Sequence, residues 1–150
     1  MNPGVETPTA RPIGMPVATV GETAVNEVSI TEEMLPAFAE LSGDTNPIHL
    51  DDEYAAETMF GGRVAHGILS AAVISGALAQ LSGDIVYLSQ ELSFEKPVYP
   101  GETVEATVRV TEDLGDDRLA VETVAAVPDR DERVLSGEAT VLSVPHGNGE

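Results

Sequence analysis

In the second half of the chain, apolar residues recur at every other position. Val104, Ala106, Val108 and Val110 alternate with Thr103, Glu105, Thr107 and Arg109, the period of a strand buried on one face. The same period runs through Val86, Leu88, Gln90, Leu92 and Phe94, through Leu119, Val121 and Thr123, and through Ala139 and Val141. Pro100-Gly101 and Gly115-Asp116-Asp117 supply turns between these runs. The first half reads differently. A strand over residues 22–29 precedes Thr31, an N-cap candidate, with Glu32 and Glu33 in the first turn, where the helix dipole favours anions. Met34, Leu35, Phe38 and Leu41 share a face of that helix, which should end near Ser42-Gly43. Residues 44–52 are polar, and Pro47 disfavours helical geometry at Asn46, so the segment reads as a loop. A short helix over residues 53–58 and a long one over about 67–81 follow.

Residues 64–83 hold no Asp, Glu, Lys or Arg, a length that approaches the ~20 apolar residues of a membrane span. His66, Ser70, Ser75, Gln80 and Ser82 make the segment only weakly hydrophobic, and a helix buried in a protein core is the better reading. Strands grouped after helices predict an α+β fold, with an antiparallel sheet covering the apolar helix. The edges of such a sheet would stay unpaired, and two-fold pairing of protomers as a homodimer would cover one of them. Residues 1–16 contain Pro3, Pro8, Pro12 and Pro16 and no apolar run, which is a leader and not a signal peptide. Residues 17–145 read as a single domain, and residues 146–150 as a loose tail.

Charge narrows the classes of partner. Lys and Arg total 7 against 26 Asp and Glu, a formal net charge of −19 over 150 residues. Scattered cations in such an excess of acid exclude a general nucleic-acid binder and argue against an anionic membrane surface. Acidic residues spread along the chain, with Lys96 the one lysine, predict a cytoplasmic protein adapted to salt, where screening relieves self-repulsion. Cysteine is absent, which removes disulfides, thiolate metal sites and a cysteine nucleophile.

The richest polar cluster is Ser42-Gly43-Asp44-Thr45-Asn46-Pro47-Ile48-His49. A bend there could aim the Asp44 carboxylate and the His49 imidazole at one small volume, where the two could deprotonate water and later return a proton. The same residues also suit an Asx turn with an incidental histidine. A calcium loop counted from Asp44 fails, because His49 stands where glycine is needed and Ala55 where a bidentate Glu belongs. His49 and His66 lack the spacing of a zinc site, and no metal is expected. Gly-x-Ser-x-Gly, Walker and Gly-x-Gly-x-x-Gly motifs are missing. His66-Gly67 opens the uncharged helix. The Gly67 amide suits either an oxyanion donor or a tight helix entry, and His66 reads as a cap or packing residue. Ser70 and Ser75 are expected to bond the carbonyl four residues back.

These residues carry a family likeness. Gly43-Asp-x-Asn-Pro-x-His49, Phe60-Gly-Gly-Arg-Val-Ala-His-Gly-Ile-Leu69, Tyr87-Leu-Ser-Gln-Glu-Leu-Ser-Phe94 and Lys96-Pro-Val-Tyr-Pro-Gly101 together resemble the MaoC-like dehydratases, in particular their R-specific enoyl-CoA hydratase branch. The resemblance implies an α+β hot-dog fold, in which an antiparallel sheet wraps a long helix, and a homodimer. It also implies reversible hydration of trans-2-enoyl-CoA to (R)-3-hydroxyacyl-CoA without a cofactor beyond the coenzyme A of the substrate. By the motif, Asp44 and His49 activate water, the Gly67 amide polarises the thioester carbonyl, and Ser75 helps hold the catalytic loop. Asn46, Arg63 and Lys96 are candidates for binding the acyl-CoA thioester. The rival is a hot-dog protein of another kind, a thioesterase or an acyl-CoA-binding module, and the intact Asp44/His49 pair favours the hydratase.

Overall fold

A computed structural model describes residues 17–147 of the chain. The leader assigned to residues 1–16 and the last three residues lie outside the described residues. Of the expected tail, His146 is placed, with Nδ1 2.8 Å from Asp84 Oδ2.

Five strands form one antiparallel sheet in the order β1-β3-β4-β5-β2. They are β1 (Thr23–Ser29), β2 (Asp84–Phe94), β3 (Thr103–Gly115), β4 (Arg118–Val127) and β5 (Glu132–Val144). The alternation read from the sequence is the burial pattern of β3, where Val104, Ala106, Val108 and Val110 face inward. Helices α1 (Met34–Ser42), α2 (Pro47–Leu50), α3 (Asp52–Ala56) and α4 (Gly67–Leu78) all precede β2. The core forms where α4 presents Val73, Ile74, Ala77 and Leu78 to Val104, Val108, Val121, Leu135 and Val141 of the sheet. Asn26 of β1 donates from Nδ2 to the Val73 carbonyl of α4 (3.1 Å), and that contact lies so close to Gly76 that no Cβ fits there. Among the described residues, no helix is long and apolar enough to cross a membrane.

Three local expectations change. Thr31 is not the N-cap of α1: the cap position is Glu33 without a side-chain bond, and Thr31 contributes its carbonyl to the Met34 N–H. Residues 44–52 are not all loop. Pro47 does keep Asn46 extended, but it also occupies the first position of α2, where its missing N–H costs nothing. The strand around Ala139 and Val141 extends back to Glu132, because the register slips between Ala125 and Ala126 and breaks the visible alternation.

Candidate active site

The segment between α1 and α2 is shaped by short side chains bonding to nearby backbone. Gly43 ends α1 in the left-handed region (φ 82°), its N–H on the Ala39 carbonyl (2.8 Å). Ser42 Oγ donates to the Phe38 carbonyl (2.7 Å) and accepts from the Asp44 N–H (3.1 Å). Asp44 Oδ1 accepts from the Asn46 N–H (3.2 Å), and Asn46 Oδ1 accepts from the Ile48 N–H (3.2 Å), capping α2. Thus Asp44 closes an Asx turn and still leaves a carboxylate oxygen exposed to solvent.

α2 carries His49 inward. Its Nδ1 lies 2.7 Å from the Val64 carbonyl. A carbonyl only accepts, so Nδ1 carries the proton and Nε2 presents a lone pair, the tautomer of a general base. Val64 N–H in turn donates to the Ile48 carbonyl (3.2 Å), which seats α2 on the strand-like segment leading to α4.

His66 lies beneath this arrangement. It is 1% exposed, its ring stacks on His49 with centroids 3.8 Å apart and planes 28° apart, and Phe38 packs at 4.8 Å on a tilted plane. Its Nε2–H donates to the Asp44 backbone carbonyl (3.1 Å). Burial holds the His66 pKa below the ordinary imidazole value, with the neighbouring His49 acting in the same direction and the Asp44 contacts against it.

Gly67 follows as the first residue of α4, where backbone N–H groups point out of the helix and the dipole favours negative charge. A Cβ at this position would lie 2.8 Å from Phe94 Cδ1. The glycine therefore lets the Phe94 ring close against the helix mouth. His49 and Gly67 line one cleft of about 250 Å³, with Phe60, Phe94, Lys96 and Val134 among its walls.

The structure brings Asp44, His49 and Gly67 to one end of α4 and adds His66 between them. Lys96 stands at the same cleft. Asn46 is the cap that aims α2. Arg63 is committed elsewhere, with Glu32 at 2.6 Å and Asp52 at 2.7 Å, and only 15% of its side chain is exposed. Ser75 lies eight residues along α4 from Gly67, ~12 Å at the rise of a helix. There it lines a wider cleft with Phe38, Leu88, Leu92 and Phe94. Among the described residues, Ser75 makes no hydrogen bond to the segment that holds Asp44 and His49.

One ligand atom each from Asp44, His49 and His66 lies within 4.8 Å of the others, a spacing that a cation could use. The ring geometry opposes it. Stacked imidazoles send their in-plane lone pairs along nearly parallel planes instead of toward one point, and one nitrogen of each ring already donates to a carbonyl.

His66, read from the sequence as a cap or packing residue, is the N-cap residue of α4 and packs on His49 and Phe38; sequence reasoning missed its stack on His49 and the place of Phe94. For His66 the signal was the His-Gly pair at the helix start, but contact with His49 depends on two segments meeting in space. For Phe94, at the end of an alternating strand, nothing in the sequence pointed to the helix mouth.

A family model described as MaoC like domain matches residues 11–129. The chain is 43% identical over 124 residues to a 3-hydroxybutyryl-CoA dehydratase of Methylorubrum extorquens, covering 81% of this chain and 78% of that protein. It is 40% identical over 130 residues to an (R)-specific enoyl-CoA hydratase of Rhodospirillum rubrum, covering 85% of this chain and 89% of that protein. Among solved structures, an unliganded R-hydratase from Pseudomonas aeruginosa matches with a TM-score of 0.79 at 38% identity, over 85% of this chain and 83% of that chain.

Proposed function

Since the chain belongs to the family of MaoC-like domains, we propose that it is a lyase that adds water reversibly to trans-2-enoyl-CoA, giving (R)-3-hydroxyacyl-CoA. Its architecture is the α+β hot-dog fold. The observation that carries the reading is the meeting of the Asp44 carboxylate with the His49 imidazole, whose tautomer is set by Val64, beside the amide end of α4.

The chemistry follows from that placement. Water held between Asp44 and His49 gives a proton to His49 Nε2 as its oxygen bonds to the β-carbon. The π electrons of the C=C move onto the thioester oxygen, where the Gly67 N–H and the helix dipole stabilise the enolate. The α-carbon then takes a proton from the Asp44/His49 pair, and H and OH have been added across the double bond. Every step uses side chains and backbone of this chain, with coenzyme A as the handle of the substrate. Lys96 lines the cleft, which supports assigning it as the cation for that handle.

A homodimer completes the reading. β2 is an edge strand whose Val86, Tyr87, Leu88 and Phe94 are exposed, and Ile68 of α4 lies bare near it. A second copy seated on this face would cover the apolar surface and close the wider cleft that holds Ser75.

The test is loss of enoyl absorbance across a chain-length series of trans-2-enoyl-CoAs, with chiral analysis of the product. Asp44→Asn and His49→Ala are each expected to lower kcat by about 10²–10⁴-fold, the usual worth of a general acid or base, while the folded spectrum is kept. Near-normal turnover in either variant would sink the assignment. Release of free thiol from acyl-CoA without hydration would mark a thioesterase instead.

A further inference from the structure

We propose that His66 is a positioning residue of the hydration reaction: a neutral imidazole that ties the Asp44 backbone, the His49 ring and the first turn of α4 into one register. This rests on the hydratase reading and goes beyond the groups that act directly on water or thioester.

Three contacts converge on the one residue. The Nε2–H donates to the Asp44 carbonyl at 3.1 Å, which fixes the turn that presents the carboxylate. The ring face lies 3.8 Å from that of His49, which limits how the base can rotate about its bond to Val64. The backbone carbonyl accepts from the Leu69 N–H (3.0 Å) and the Ser70 N–H (3.4 Å), which anchors the helix start beside the Gly67 amide. Carboxylate, base and oxyanion donor come from three separate stretches of backbone, and His66 touches all three.

One feature separates this role from mere packing. Nδ1 of His66 is buried without a hydrogen-bond partner. The Asp44 contact places the proton on Nε2, so Nδ1 is a lone pair shut away from water. A buried acceptor left unpaired is destabilising and calls for an explanation. Phenylalanine would keep an aromatic face against His49 and Phe38 with no such penalty. The histidine retains its orphan nitrogen for the sake of the opposite edge of the ring, the donor to Asp44.

The experiment compares wild type, His66→Phe and His66→Gln in crotonyl-CoA and longer enoyl-CoA hydration, with thermal melts alongside. His66→Phe keeps the stack and loses the donor, whereas His66→Gln supplies a side-chain N–H at about the reach of Nε2. The expected result is a kcat about 10- to 100-fold lower in His66→Phe with KM within about threefold, and a kcat in His66→Gln at least about fivefold above that of His66→Phe, the scale of a small misplacement of reacting groups. The melting temperature of His66→Phe should equal or exceed that of wild type. A structural role alone would instead make activity fall only in step with stability. The proposal is overturned by a folded His66→Phe with kcat close to wild type, by a kcat loss matched by a stability loss in both variants, or by a His66→Gln no better than His66→Phe. Absence of hydration in the wild-type protein at every chain length would take down the hydratase reading and this one with it, whereas active wild type with an undiminished His66→Phe removes this one alone.

Discussion

A histidine that stays neutral inside a protein ties its stability to pH. In the unfolded chain His66 takes up a proton as pH falls through its ordinary value of 6.5, while burial in the folded protein delays that uptake to lower pH. Between the two values the unfolded state binds more protons. This contribution to stability is therefore fully present above 6.5 and is lost as pH falls toward the folded value. Among the described residues, the titratable groups acting on His66 are Asp44 and His49, and from α1 the Phe38 ring packs on it. Two carboxyl groups titrate in a separate window. Glu95 is held below its ordinary 4.5 by the Ser136 hydroxyl and Arg133. Glu102 is raised by burial but brought below 4.5 on balance by Arg130 and the Tyr99 N–H. Their contribution is lost only as pH falls below that value. The melting temperature of wild type should therefore drop relative to that of His66→Phe as pH goes from about 7.5 to about 5. A constant difference would show that the imidazole protonates alike in both states.

At the scale of elements, a four-residue helix delivers the general base. α2 has too few turns to be stable alone, and it is held by its cap, its proline and the Ile48–Val64 contact. Asn46→Ala removes the acceptor for the Ile48 N–H and should cost about 1 kcal/mol in urea denaturation. It should also lower kcat, because the cap sets the approach of His49, and Asn46→Asp should restore both. Equal kcat in wild type and Asn46→Ala would show that α2 keeps its place without the cap. This helix was also the least legible part of the sequence. The strands announce themselves by alternation at Val104 to Val110, and α4 by its uncharged length, since both signals are local. Pro47 sends two messages at once, barring helix at the residue before it and starting one at its own position. The loop reading heard only the first. Spacing allowed an Asp44/His49 meeting, since five positions in a turn-rich stretch can bring both to one place, but left an Asx turn with an incidental histidine open as well, and the family resemblance favoured the pair. The His49/His66 stack was not legible, because α2 and the entry to α4 must first dock.

At the scale of the molecule, one face is unfinished. The exposed Val86, Tyr87 and Leu88 lie on a sheet edge, and the register irregularity between Tyr87 and Ser89 leaves Leu88 outside the pairing with β5. Leu88→Glu would place a charge at the centre of the proposed contact between copies. Sedimentation velocity should then show a shift from dimer to monomer, and a wild type that sediments as a monomer at micromolar concentration would remove the two-fold arrangement altogether. The net charge of −19 bears on the same contact. Two such surfaces repel, so association should tighten as added salt screens them.

Asp44, His49, His66, Gly67 and Lys96 all lie before the turn at Pro100-Gly101, whereas β3, β4 and β5 follow it and give the cleft only wall residues such as Val134 and Leu135. The chain thus carries its reagents, together with β1, α4 and β2, before that turn, and adds three of the five strands after it. Val134 and Leu135 are thus the wall positions where a change of side-chain volume would alter what fits the cleft without touching the stretch of chain that carries the proton-handling groups.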